Sequence, residues 1–152
     1  MEIDRNGLTV LSREECLRHL ATATVGRVAI TSQALPTVLP VNFRLTDMGV
    51  VFSTGRGSKL EAATREAVVA FEADEIDRST HTGWSVVVTG MASEITDLDA
   101  LEAVRSLPLP HWGVDAVERY VRISLELVSG RRIEQLGGRL TTPGVDRRLA
   151  TS

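Results

Sequence analysis

The longest constraint in this chain is the stretch Trp84-Ser85-Val86-Val87-Val88-Thr89-Gly90-Met91-Ala92-Ser93-Glu94-Ile95, a twelve-residue run of β-branched and alternating residues. Such a run is too long and too rich in valine and threonine for a helix start, and it reads as one extended strand with Gly90 as a bulge. Five other runs share its character, at residues 24–31, 38–45, 50–53, 68–73 and 120–133, the last broken into shorter pieces at Ser129-Gly130. Turn signals divide them: Ser32-Gln33, Thr46-Asp47-Met48-Gly49 and a polar loop from Asp74 to Thr82. Pro40 removes a backbone donor from the second run, so that strand is interrupted, bulged or at an edge there.

Helices are few. Ser12-Arg13-Glu14-Glu15 and Ser58-Lys59-Leu60-Glu61 both have the Ser-x-x-Glu form of a capping box, the first opening a helix with apolar Cys16, Leu17 and Leu20, the second a short helix through Ala67. Residues 97–107 predict a third helix stopped by Pro108, and residues 111–118 a short connector helix. Strands without intervening crossover helices point to an antiparallel barrel with minor helices, because a parallel sheet needs a crossover between successive strands.

Composition narrows the function. The 152 residues predict one domain over 1–136 and a tail over 137–152, where Gly137-Gly138 and Pro143-Gly144 lack apolar periodicity. With 43% hydrophobic and 24% charged residues and no long apolar stretch, the expectation is a soluble chain with no membrane partner. The start, Met1-Glu2-Ile3-Asp4-Arg5, has no secretory pattern, which predicts a cytoplasmic location. A net charge of −3 argues against nucleic acid as the main partner. Cys16 is the single cysteine and no Cys/His cluster has zinc-like spacing, so no metal site is predicted.

The segment Phe52-Ser53-Thr54-Gly55-Arg56-Gly57-Ser58-Lys59-Leu60 runs from a strand through a glycine turn into a helix. That order outlines an anion site, with backbone N–H groups, a hydroxyl at Ser58 and an ammonium at Lys59. The alternative is a plain turn in which Ser58 caps the helix and Lys59 is solvated. P-loop spacing is absent, which speaks against nucleotide hydrolysis. His19, His81 and His111 show no triad arrangement, and no catalytic residue is assigned.

In order and spacing, Gly26-Arg27-Val28-Ala29, Leu39-Pro40-Val41-Asn42-Phe43, the 52–60 segment, Val69-Ala70-Phe71-Glu72 and Gly83-Trp84-Ser85-Val86-Val87-Val88-Thr89-Gly90 resemble the pyridoxamine 5′-phosphate oxidase-like superfamily of FMN-binding split barrels. The resemblance covers residues 12–95 and implies a mainly β, six-stranded antiparallel split β-barrel of Greek-key type with a few short peripheral α-helices. It implies that Ser53, Thr54, Ser58 and Lys59 hold the FMN phosphate and that backbone around Val38, Leu39, Pro40, Val41, Asn42 and Phe43 lines the ring edge. By the same resemblance Trp84 and Ser85 sit by the ring near a subunit boundary, in a homodimer with two interfacial sites lined by Val86 and Val88 or the Trp84 region. As residues, Trp84 reads equally as a core or interface tryptophan and Asn42 as a turn-facing polar group.

True pyridoxamine 5′-phosphate oxidases carry a C-terminal Arg- and Trp-containing segment that this tail does not match, which speaks against that activity. The remaining expectations are an FMN-dependent oxidoreductase acting on a small organic molecule, a reductase using the deazaflavin F420, or a flavin or haem carrier or sensor without turnover.

Overall fold

In a computed structural model, residues 1–55, 57–110, 112 and 119–134 are described. Within them the order is β1 (Thr9–Val10), α1 (Arg13–Thr22), β2 (Val25–Ser32), β3 (Leu35–Asn42), β4 (Arg44–Thr46) and β5 (Gly49–Thr54). There follow α2 (Lys59–Ala63), β6 (Ala67–Asp77), β7 (Thr82–Glu94), α3 (Leu98–Arg105), β8 (Arg119–Ile123) and β9 (Leu127–Ile133). Every pairing is antiparallel, in the order β3-β2-β6-β7-β8-β5-β4, with β9 joining β7 to β1. The predicted mainly β split barrel is the observed fold, with nine strands in place of six.

One extra strand is β1 before α1, one comes from the division of the last run into β8 and β9, and one arises where the chain turns a barrel corner after β3. Phe43 ends the pairing of β3 with β2, donates its N–H to the Thr24 carbonyl at 3.0 Å, and sends β4 to the other arm of the sheet. Its ring is fully buried and meets Phe71 edge-on at 4.7 Å. Around this contact Val28, Phe52, Val86, Val88 and Ile123 from both arms form one core, so the sheet must curl to bury them together. A smaller cluster of Val51, Ile95 and Val104 holds α3 against the outside of β5 and β8.

Pro40 lies on an edge: β3 ends the sheet path, and Arg27 pairs with Pro40 in uninterrupted register. Gly90 is not a bulge, because β6 and β7 stay in register through Val69↔Gly90 to Ala67↔Ala92. A Cβ there would lie 1.8 Å from the Ser124 carbonyl oxygen. Gly90 sits where β7 changes partner from β9, whose last pair is Thr89↔Leu127, to β8, whose first is Ala92↔Ile123. Its lack of a side chain permits that close backbone approach.

Other boundaries also differ. The second helix stops at Ala63, and Ala67 opens β6 after Glu66 takes a positive φ of 48°. Residues 74–77 extend β6, pairing with β7 from Asp74↔Ser85 to Asp77↔Thr82 beyond the last buried residue, Ala73. The break in the last run falls between β8 and β9, and Gly130 is inside β9, where a Cβ would come within 2.6 Å of the Cys16 sulfur. Arg56, most of the expected connector at 111–118 and the expected tail lie outside the described residues.

Candidate functional site

Strand β5 carries four interior positions, Gly49 to Phe52, and ends with the half-buried Ser53 and the buried Thr54. Beyond it the chain turns at Gly55, and Gly57, with φ at 72°, leads into α2. The edge strand β3 runs alongside, and the two enclose a cleft of about 260 Å³ lined by Leu39, Pro40, Val41, Asn42, Ser53, Thr54, Gly55, Ser58, Leu60, Pro110 and Trp112. Asn42 fixes the far wall, its Nδ2 donating to the Pro110 carbonyl at 2.9 Å.

The cleft therefore gathers Leu39, Pro40, Val41, Asn42, Ser53, Thr54 and Ser58 from the residues singled out in the sequence. The others stand elsewhere. Phe43 is in the core, Val38 is exposed on the outward face of β3, and Lys59 is exposed and outside the lining. Trp84 is buried and stacks on His19 with ring centroids 4.8 Å apart, while Ser85 lies between Asp74 and Arg131 in the sheet.

Thr54 is the chemically unusual member. Its residue is 2% exposed and its hydroxyl has no hydrogen-bond partner among the described residues. A buried hydroxyl left unpaired costs about 1–3 kcal/mol, so an acceptor brought to it would be stabilised. Ser58, by contrast, is committed: its Oγ accepts from the Glu61 N–H at 3.0 Å and donates to the Gly55 carbonyl at 3.1 Å. An added Cβ at Gly55 or Gly57 would meet nothing within 4 Å, which leaves open space beside the turn. An acceptor-rich anion fits this cradle, with Thr54 as donor and the open glycine backbone beside it.

Glu61 holds the turn from behind. Its nearly buried carboxylate takes Arg65 at 2.7 Å, Arg119 at 3.2 Å and the Gly57 N–H, and Arg119 also reaches Glu94 at 3.3 Å. The Arg65 hydrogen bond, then that from Gly57, lowers the Glu61 pKa below its ordinary value. The Glu61-Arg65 spacing is visible in the sequence as an i, i+4 pair, whereas Arg119, Pro110 and Trp112 come from distant segments that no local pattern ties to the turn.

A family model described as pyridoxamine 5′-phosphate oxidase matches residues 12–132. An uncharacterized protein of Mycobacterium tuberculosis is 41% identical over 128 residues, covering 81% of this chain and 84% of its own length. Among solved structures, the FAD binding protein from Mycobacterium smegmatis superposes with a TM-score of 0.74 at 33% identity, covering 83% of this chain and 98% of its own. A FAD-binding protein from Mesorhizobium loti gives a TM-score of 0.69 at 27% identity, over 84% of this chain and 99% of its own. Sequence match and structural superposition agree, and the chain belongs to the pyridoxamine 5′-phosphate oxidase-like family of split β-barrels.

Proposed function

We propose that this protein binds a flavin nucleotide in the cleft between β3 and β5 and works as a flavin-dependent oxidoreductase on a small organic molecule. The buried Thr54 hydroxyl, without a partner among the described residues, carries the reading, since it is a donor at the wall of a cradle of open backbone. A flavin phosphate is such an acceptor, with Thr54 donating to it and Ser58 keeping the turn closed through Gly55 and Glu61. Backbone groups on the free edge of β3, near Leu39 to Asn42, face the place where a ring edge needs hydrogen bonds, and Asn42 and Trp112 wall it. When bound, flavin supplies hydride and electron transfer, and the protein supplies position and exclusion of water.

FMN is the form expected from the sequence, and FAD is favoured by the names of two similar structures. Both carry the phosphate that Thr54 fits. The cleft of about 260 Å³ is open and smaller than the roughly 300–1,000 Å³ of typical ligand pockets, which supports a homodimer whose second copy supplies the missing wall.

Titration of riboflavin, FMN and FAD against the wild type and Thr54→Val tests the phosphate role. A hydrogen bond to a charged group contributes about 1.5–3 kcal/mol, so the variant is expected to weaken FMN and FAD about tenfold or more while leaving riboflavin unchanged. Equal weakening of all three would place the phosphate elsewhere. Loss of the flavin's blue absorbance when a nicotinamide donor is added without oxygen tests turnover, and a bound flavin that no donor reduces would leave only a carrier.

A further inference from the structure

Where α3 lies against β5 and β8, a second cavity of about 480 Å³ opens beside the small cluster of Val51, Ile95 and Val104. It is larger than the cleft and falls within the roughly 300–1,000 Å³ of typical ligand pockets. Ile95, Leu101 and Tyr120 form its apolar wall. Its charged lining is unequal: Arg105, from the last turn of α3, and Arg119, from the start of β8, stand with one carboxylate, Glu94. The cavity therefore pairs a surplus positive charge with apolar side chains.

The two arginines are differently engaged. Arg119 meets Glu61 through Nε at 3.2 Å and Glu94 through Nη1 at 3.3 Å, and the N–H donors of a guanidinium exceed what these contacts use. Arg105 makes no hydrogen bond or ion pair with any described residue. A solvated arginine at a helix end is ordinary, because it meets the negative end of the helix dipole. Arg105 differs in bordering an apolar hollow together with an arginine from another element. Arg119 also lines the space behind the glycine turn, with Gly57, Glu61 and Arg65, so one residue walls both places.

We propose that this cavity binds a small organic acid, an anionic head on an apolar body, and that its occupancy is felt at the glycine turn through Arg119 and Glu61. The inference goes beyond the flavin reading and does not rest on it. A carboxylate suits the arrangement, because a guanidinium fork meets both its oxygens and Arg105 closes on it without giving up another partner. The body then covers Ile95, Leu101 and Tyr120, which a bare ion would leave in water. An acceptor added to Arg119 draws on the guanidinium that Glu61 also uses, and Glu61 in turn takes the Gly57 N–H.

Benzoate titrated into the full-length protein and followed by its amide resonances tests both halves. Benzoate is expected to bind about tenfold or more tightly than benzamide, which lacks the charge, and than acetate, which lacks the body. The Ile95 and Leu101 signals should move, and Gly57 with them at the same midpoint, while Leu39 and Val41 in the cleft stay still. Arg105→Gln, an exposed change at a helix end, is expected to weaken benzoate about tenfold, with Arg105→Lys in between. Shifts confined to Leu39 and Val41, or benzoate binding that Arg105→Gln leaves intact, would put the acid elsewhere and overturn the proposal. No saturable binding, or acetate equal to benzoate, would do the same, and a Gly57 signal that stays fixed would sink the link to the turn. None of these outcomes depends on flavin, so the cleft assignment stands or falls separately.

Discussion

Two helices in this protein begin with the same four-residue pattern, and they are built differently. At α1 the box is complete: the Glu15 N–H donates to Ser12 Oγ at 3.1 Å and the Ser12 N–H donates to Glu15 Oε1 at 3.2 Å. At α2 Ser58 performs its half, but Glu61 turns away from the Ser58 N–H to the Gly57 N–H, Arg65 and Arg119. The positive φ of Gly57 re-aims the backbone ahead of the helix, and two guanidiniums compete for the carboxylate. A local motif therefore specifies a helix start, while tertiary charge decides where its acid goes. The ten-residue α1 is framework; the five-residue α2 is a turn held by ion pairs beside Thr54.

The strongest break in that comparison is Glu61→Gln against Glu15→Gln. The first leaves Arg65 and Arg119 without their shared anion and is expected to lower the Tm by clearly more than the second, whose carboxylate meets Arg132 at 3.3 Å in a more exposed setting. Both acids have lowered pKa values, Glu15 chiefly through its Ser12 hydrogen bonds. Their contribution is present above the ordinary carboxylate range and is lost as pH falls through their lowered values. Glu61→Gln should flatten the acid side of a Tm-against-pH curve more than Glu15→Gln, and equal flattening would make the two caps equivalent. A smaller effect sharpens the contrast. Ser12→Ala is expected to cost about 1 kcal/mol, or roughly 2–4 °C in Tm. Ser58→Ala should cost less, because ion pairs still hold a helix of only five residues, and a larger loss at Ser58 would reverse the assignment.

Much of this was legible in the sequence for a physical reason. Enrichment in β-branched and aromatic residues located β2, alternation located β7, the Ser12 box located α1, and the glycine turn after Thr54 located the cleft's floor. Failures had a common cause. Gly90 and Gly130 read as a bulge and a break, whereas each is needed where another segment comes too close for a Cβ. Asp74 to Asp77 read as loop because three carboxyls in four residues hide a strand. Phe43 read as a cleft residue because the site's spacing continues through it, although its ring fills the barrel corner. Pro110 and Trp112 are contributed from far along the chain, and one-dimensional spacing cannot bring them to Asn42.

Strand β7 has one more consequence, for the order in which the chain folds. It pairs with β6 over eleven consecutive residues across residues 78–81, a turn tied by the Asp77 carboxylate to Ser79 and Thr80 and by the His81 N–H to the Asp77 carbonyl. That hairpin closes a short loop, whereas β9 and β8 must be carried across a long one before they reach β7's other edge. The entropy of closure favours the hairpin forming first as a template, with β9 and β8 then laid end to end along it on either side of Gly90. Pulsed hydrogen exchange during refolding should protect Phe71 and Val88 before Val121 and Val128, and simultaneous protection would mean that the barrel closes in one step.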